Sequence, residues 1–231
     1  MCLVRYAKFT GNMPREVVLL KGLPCIWGRC RFCDYIDDNT SDEDLIRSVA
    51  EENLAKVTGE FGRLQAINSG SIQELPRSIW TLLRDLIATK GISQFFTESY
   101  WAYRKEFAVA REFFGVDTHL FLGVETFDDH LRNAVLNKSM HWSGPDDVAL
   151  LTDAICLMVG FKGQTHDTVR RDIDLLLSKF KYGIVNVFTE NRVNTDMVDN
   201  DLDAWFKEEF AWLAERPNVN VLWKNTDFGV G

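Results

Sequence analysis

Seven short apolar, β-branched runs recur along the chain, each bounded by Gly, Pro or polar turn residues: Val17–Leu20, Leu64–Asn68, Ile92–Thr97, Leu120–Val124, Ile155–Phe161, Ile184–Phe188 and Val219–Trp223. Amphipathic segments of helical length fill the intervals. Ser41-Asp-Glu-Asp reads as a capping-box-like start, with Leu45, Ile46, Val49, Ala50 and Leu54 on one apolar face. Pro76 suits a first helical turn ahead of Ile79, Leu82, Leu83 and Leu86. Further helices are expected over Trp101–Phe114, Asp128–Leu136, Pro145–Asp153, Asp167–Phe180 and Asp199–Arg216. Strands that alternate with helices pair in parallel, because parallel neighbours need crossover connections of that length. Continuous apolar strands suit a sheet covered on both faces. Roughly six βα units are too few for a complete eight-stranded barrel and fit a partial barrel or an open doubly wound sheet. No repeat, linker or compositional break divides the chain, so one domain over 1–231 is expected.

Composition narrows what such a sheet would do. At 231 residues, 46% of them apolar, the chain can bury a full core without a stapling metal, so a metal would be there for chemistry. The 26 Lys and Arg against 34 Asp and Glu give a formal net charge of −8, with no block of like charge. That balance argues against a large nucleic-acid interface, which needs basic patches to release counterions, and leaves small polar or anionic ligands open. The N-terminus lacks the basic-then-apolar pattern of a secretory signal, and the longest apolar stretch, Ala154–Phe161, is too short to cross a bilayer. A cytoplasmic protein without a membrane partner is expected.

In either sheet architecture the reactive groups gather in the loops after the strands. Just past the first run the chain reads Lys21-Gly-Leu-Pro-Cys25-Ile-Trp-Gly-Arg-Cys30-Arg-Phe-Cys33-Asp-Tyr35, a C-x4-C-x2-C pattern. Crowded cysteines in a reducing compartment point to metal or cluster ligation rather than disulfides. Three thiolates can hold three irons of a [4Fe–4S] cluster, whereas four are the usual complement of a fully protein-ligated one. The fourth iron would stay open, as catalytic metal centres require. The competing assignment is a zinc-binding, non-catalytic module, which wants four closed ligands. Its candidate fourth ligands, Cys156, His119, His130, His141 and His166, lie far along the chain. Cys2 and Cys156 read as a tail residue and a buried strand residue.

The loop resembles the signature of the radical S-adenosylmethionine (SAM) superfamily, commonly C-x3-C-x2-C with an aromatic before the last cysteine. Phe32 and the C-x2-C half match, and the first gap is one residue longer. The resemblance spans nearly the whole chain and implies an α/β fold, a partial (β/α)6 TIM barrel of parallel strands. It implies a [4Fe–4S] cluster on Cys25, Cys30 and Cys33, with SAM as cofactor and an electron donor such as flavodoxin or ferredoxin. Asn68-Ser69-Gly70-Ser71 stands where relatives hold the methionine amino group of SAM, and resembles the Ser-Gly-Ser variant of enzymes acting on deazaguanine nucleosides. By itself it is an ordinary polar turn. Glu125 resembles the fourth-strand contact to the SAM ribose, with Lys138 placed to pair with the methionine carboxylate. Their plain alternative is a capping acid and a solvated lysine. Gly160 and Phe161 resemble the glycine-containing adenine contact, and the same stretch reads equally as a turn in which Thr165 caps a helix.

Substrate residues are expected at the later strand ends. Glu98, Tyr100, Trp101 and Arg104 follow the third run. Asn186, Glu190, Asn191 and Arg192 end or follow the sixth, and Lys224, Asn225 and Asp227 follow the last. Acids suit the N–H edge of a guanine-like base, aromatics stack on it, and Arg104 or Lys224 suits a phosphate. Each alone also reads as a surface or helix-start residue. Within the superfamily the chain most resembles the queuine lyases of bacterial queuosine salvage, which implies release of queuine from queuosine or its 5′-phosphate. The alternative within the superfamily is an enzyme acting on another modified nucleoside or on tRNA. The acidic balance favours a small nucleoside or nucleotide.

Overall fold

Val17, Val18 and Leu20 are wholly buried on β2 (Arg15–Leu20), which has a strand on each edge and apolar residues on both faces. The computed structural model describes residues 3–231, so Cys2 lies outside the described residues. Within each unit the strands follow one another in sequence order. Contacts divide the chain into two compact units, the first holding residues up to Gly28 with Tyr35–Leu120 and Phe228–Gly231, the second Arg29–Asp34 and Phe121–Asp227.

In the first unit β2 pairs in parallel with β3 (Arg63–Asn68), and β3 with β4 (Gln94–Ser99). The register sets Leu20 beside Asn68, so the cysteine loop and the Asn68–Ser71 turn leave neighbouring strand ends. The expectation of parallel strands alone needs one correction: β1 (Tyr6–Phe9) is antiparallel to β2, with Tyr6 opposite Val18. An antiparallel edge strand can be this short and partly exposed, so it lacks the apolar run of its neighbours. β4 starts two residues later than Ile92, whose N–H is taken by Ile87 O at 3.0 Å at the end of a helix.

Helix α1 (Glu43–Leu54) is capped by Asp42, whose carboxylate accepts from Leu45 N–H at 3.0 Å, and not by Ser41. It buries Ile46, Ala50 and Leu54 but leaves Leu45 exposed. Helix α2 (Arg77–Thr89) turns Ile79, Trp80, Leu83 and Ile87 inward. Residues 101–106 form a tight 3-10 segment before α3 (Phe107–Phe114), whose Phe114 stacks on Trp80 at 5.3 Å.

In the second unit β5 (Asp117–Glu125), from Phe121 onward, pairs in parallel with β6 (Ala154–Val159), β6 with β7 (Tyr182–Val187) and β7 with β8 (Val219–Leu222). Every residue of β6 is buried, as a strand covered on both faces requires. Between them lie α4 (Pro145–Ala149), α5 (His166–Lys179) and α6 (Asn200–Glu209), with a further 3-10 turn over Ala211–Glu215. Thr165 and Asp199 cap α5 and α6 through Thr168 N–H and Leu202 N–H. The helix expected over Asp128–Leu136 is instead a π-turn at Leu131–Val135, in which Leu136 N–H donates to Leu131 O. Among the described residues no helix is long and apolar enough to cross a membrane.

Candidate active site

In the first unit, two side chains tie Cys25 to the turn after β3. Ile26 N–H donates to Glu74 Oε1 at 2.6 Å, while Ser71 N–H donates to Oε2, also at 2.6 Å. Tyr103 Oη adds a third bond to Oε1 at 3.3 Å. Asn39, with its amide turned to satisfy both partners, accepts from Cys25 N–H at 3.2 Å and donates to Ser69 O at 3.0 Å. Glu74 is buried, and burial raises its carboxyl above the usual range against the pull of the Ile26 and Ser71 N–H groups.

Asp38 closes the same region. It receives both Arg5 nitrogens at 3.0 and 2.6 Å, Lys21 Nζ at 2.7 Å and Ser69 Oγ at 3.3 Å. Burial pushes its carboxyl upward, but the hydrogen bonds from Arg5 and Lys21 outweigh it and hold the group below the ordinary aspartate range.

Asn68 is buried and donates through Nδ2 to Ser71 O at 3.0 Å, yet its Oδ1 has no hydrogen-bond partner among the described residues. Thr97 Oγ1 on β4 is in the same condition. A buried acceptor with nothing to accept is costly unless a ligand meets it. Glu98, near the end of β4, and Tyr100, Trp101 and Arg104 beyond it are all half-buried. Arg104 folds back on Trp101, donating to its carbonyl at 3.1 Å and lying 5.1 Å from its ring.

In the second unit, Glu125 ends β5 with φ of +62°, a left-handed setting rare outside glycine, and Thr126 N–H closes a three-residue turn onto Val124 O at 2.8 Å. The turn aims its carboxylate at Lys138, whose Nζ donates to Oε1 at 2.6 Å. Both side chains are under 10% exposed. The reading of a capping acid and a solvated lysine is therefore excluded. Gly123 leaves the room, since a Cβ there would stand 2.9 Å from Glu125 Oε1 and 3.0 Å from Lys138 Nζ. The Lys138 ammonium also lies 5.3 Å from the centre of the Phe32 ring. Burial works against its charge, but Glu125 and the sulfurs of Cys30 and Cys33 prevail and raise it above the ordinary lysine range.

The Gly160 turn is closed by a residue the sequence did not flag. Gln164 Oε1 accepts from Gly160 N–H at 3.0 Å and Phe161 N–H at 3.2 Å, and its Nε2 donates to Met158 O at 2.9 Å. Phe161 is fully buried, packed with Leu131, Leu136, Met158 and Phe188, and Phe32 leans on that cluster. Asn191 Nδ2 donates to Phe32 O at 2.6 Å, whereas Asn186 is half-buried on β7 and Glu190 and Arg192 are exposed. Lys224, Asn225 and Asp227 form an exposed turn, with Lys224 N–H on Asp227 Oδ2 at 2.9 Å. A cavity of about 550 Å³ in this unit is lined by Thr165, His166, Arg170 and Asp199 among others, and by none of the residues expected to bind SAM or substrate.

Cys25, Cys30 and Cys33 are half-buried thiols, and Cys156 is buried on β6. Among the described residues no three Cys, His, Asp or Glu side chains are drawn together as a closed metal nest. The donors fit a cluster by chemistry, three soft thiols close together in sequence, and in the first unit, which holds Cys25, Asn68 offers an orphaned buried acceptor.

No protein-family model matches the chain, and no curated protein sequence does. Solved structures do. A queuine lyase from Clostridium spiroforme bound to SAM and queuine superposes with a TM-score of 0.97 at 39% identity, over 100% of both chains. The chain belongs to the queuine lyase family. Membership bears out the expected fold class, a partial (β/α)6 barrel of the radical SAM superfamily. Streptococcus suis SuiB, at 13% identity, matches 89% of this queuine lyase family chain and 48% of its own with a TM-score of 0.54. Its SAM-bound form gives 0.51, again at 13% identity. At that distance the likeness shows the fold alone.

Proposed function

We propose that the chain is a radical SAM lyase that releases queuine from queuosine or queuosine 5′-phosphate. The observation that carries this reading is the likeness to a queuine lyase over the whole of both chains. Cys25, Cys30 and Cys33 would hold a [4Fe–4S] cluster with one iron open, the whole of 1–231 acting as one domain in the cytoplasm. When bound, cluster and SAM together would supply 5′-deoxyadenosyl radical chemistry for hydrogen abstraction. The protein's part is to place groups and exclude water.

Asn68 Oδ1, buried and without a partner, suits an ammonium donor such as the methionine amino group, with Ser69, Gly70 and Ser71 shaping the approach. Lys138, bonded to Glu125, would also face the methionine carboxylate with the same ammonium. The second Glu125 oxygen suits the ribose hydroxyls, and Gly160, Phe161 and Phe32 belong to the wall around the adenosine. Glu98, Tyr100, Trp101 and Arg104, with Asn186, Glu190, Asn191, Lys224 and Asp227, are the groups from which the base, ribose and phosphate contacts would come. Flavodoxin or ferredoxin would deliver the electron.

Anaerobic incubation with SAM, dithionite and queuosine 5′-phosphate tests the reading. Mass spectrometry should find free queuine together with 5′-deoxyadenosine, and Cys30→Ala should abolish both. Deoxyadenosine without any free base would overturn the lyase assignment. A Cys30→Ala protein that still forms deoxyadenosine would overturn the cluster assignment.

A further inference from the structure

Lys138 is stitched to the C-x2-C half of the cysteine loop. Arg31 N–H donates to Leu136 O at 3.0 Å, and Asn137 Nδ2 donates to Arg29 O at 2.7 Å. The residues on either side of Cys30 are therefore bonded to the residues just before Lys138. Asn137 and Ser139 both have left-handed backbone, with φ of 55° and 52°, so a tight reversal turns the lysine inward between them. The residue is only 5% exposed, and its ammonium reaches the ring of Phe32, which stands between Cys30 and Cys33. A cation so enclosed is screened by salt much less than a surface one, so its charge, moderated by Glu125, can act on whatever the two sulfurs hold.

We propose that Lys138 is a positioning cation for the cluster, fixed beside the Cys30 and Cys33 sulfurs to make one-electron reduction easier, with Glu125 moderating its effect. The inference rests on the three cysteines holding a cluster. Reduction adds one electron and one negative charge at the sulfur-bound centre, with no bond made or broken. An enclosed positive charge nearby lowers the energy of the reduced form, which is one of the levers by which proteins set cluster potentials. The Glu125 carboxylate, bonded to the same ammonium, opposes it. A lysine serving only to bind SAM would leave the potential of the SAM-free protein unchanged.

The test uses protein reconstituted anaerobically with iron and sulfide, without SAM, titrated with dithionite in the presence of mediators and followed by electron paramagnetic resonance. Lys138→Met should make reduction about tenfold less favourable, which for one electron is about 59 mV toward more negative potential. Glu125→Gln should move it the other way, and Lys138→Arg, which keeps the charge, should stay within a few-fold of the parent. Since Lys138→Met strands a buried carboxylate, the double variant Lys138→Met/Glu125→Gln is measured too, and should fall between the two single variants. Single variants that shift together, or not at all, with iron content intact, would overturn the inference while leaving the cluster reading in place. A parent protein that takes up no iron would overturn both.

Discussion

Ile26 N–H and Glu74 Oε1 are 2.6 Å apart, so the residue after Cys25 is held by a carboxylate from the short turn beyond β3. The same carboxylate holds Ser71 N–H through its other oxygen. One buried side chain thus sets the entrance of the cysteine loop and the shape of the Asn68–Ser71 turn together.

Glu74→Ala strips both donors of their partner. Ser71 is buried, so its unmet N–H costs about 1–3 kcal/mol, and the urea midpoint of the apoprotein should fall accordingly. Iron bound after reconstitution should drop with it. Full iron content in Glu74→Ala would mean the carboxylate does not hold the loop.

Gly70→Ala attacks the same carboxylate from the other side, because an added Cβ would fall on Glu74 Oε2. The chain must swing Glu74 away and lose the Ser71 bond. Measured by equilibrium dialysis, SAM binding should weaken by about tenfold, the equivalent of about 1.4 kcal/mol. Unchanged SAM affinity would place the methionine end elsewhere.

Asp38 is held ionised by Arg5 and Lys21. A carboxyl whose native value lies below its unfolded one adds stability above the unfolded value and loses it as pH falls. Asp38→Asn should therefore lower the melting temperature at pH 7 and leave it closer to the parent near pH 3. An equal deficit at both pH values would show that the charge is irrelevant.

Asp172 on α5 shows the opposite sign. Burial pushes its carboxyl up to about 6 while Phe127 N–H, just past Glu125, donates to Oδ1 at 3.0 Å. The native state prefers the proton, so its contribution is whole below the unfolded value near 3.8 and is lost as pH rises through about 6. A displacement of that size corresponds to about 3 kcal/mol. Asp172→Asn keeps the acceptor and removes the titration, so its urea stability relative to the parent should rise between pH 4 and 7. A parent and variant that run parallel over that window would refute the assignment.

Cys156 is a control for the loop thiols. It is buried on β6, so Cys156→Ser, which puts a polar hydroxyl in place of a thiol, should cost about 1–3 kcal/mol and leave iron content unchanged. Loss of iron would make it the fourth ligand and favour a closed metal site.

The strand runs were legible because both faces of a parallel strand are apolar; β6 is buried throughout, and the sequence shows it as six successive nonpolar residues. Tyr6–Phe9 escaped because a four-residue edge strand containing an exposed lysine has no such signature. The cysteine spacing was readable as chemistry, but the residues that hold the loop were not. Glu74 had a local signal, since Ser71-x-x-Glu74 has the spacing of a capping box. Lys138 had none: its burial depends on Glu125, 13 positions earlier, and on two left-handed residues that a linear pattern does not reveal. Gln164 likewise acts through three backbone groups of a turn rather than through any spacing of like residues.

The reversal at Asn137 and Ser139 also restricts which amino acids the chain accepts there. Asparagine tolerates a left-handed torsion better than most, glycine accepts it freely, and a side chain branched at its second carbon does not. In a saturation library sorted for soluble expression, position 137 should therefore return a short alphabet led by Asn, which alone of Asn, Asp and Gly also keeps the bond to Arg29 O. A codon with no part in the chemistry would prove among the least forgiving in the gene.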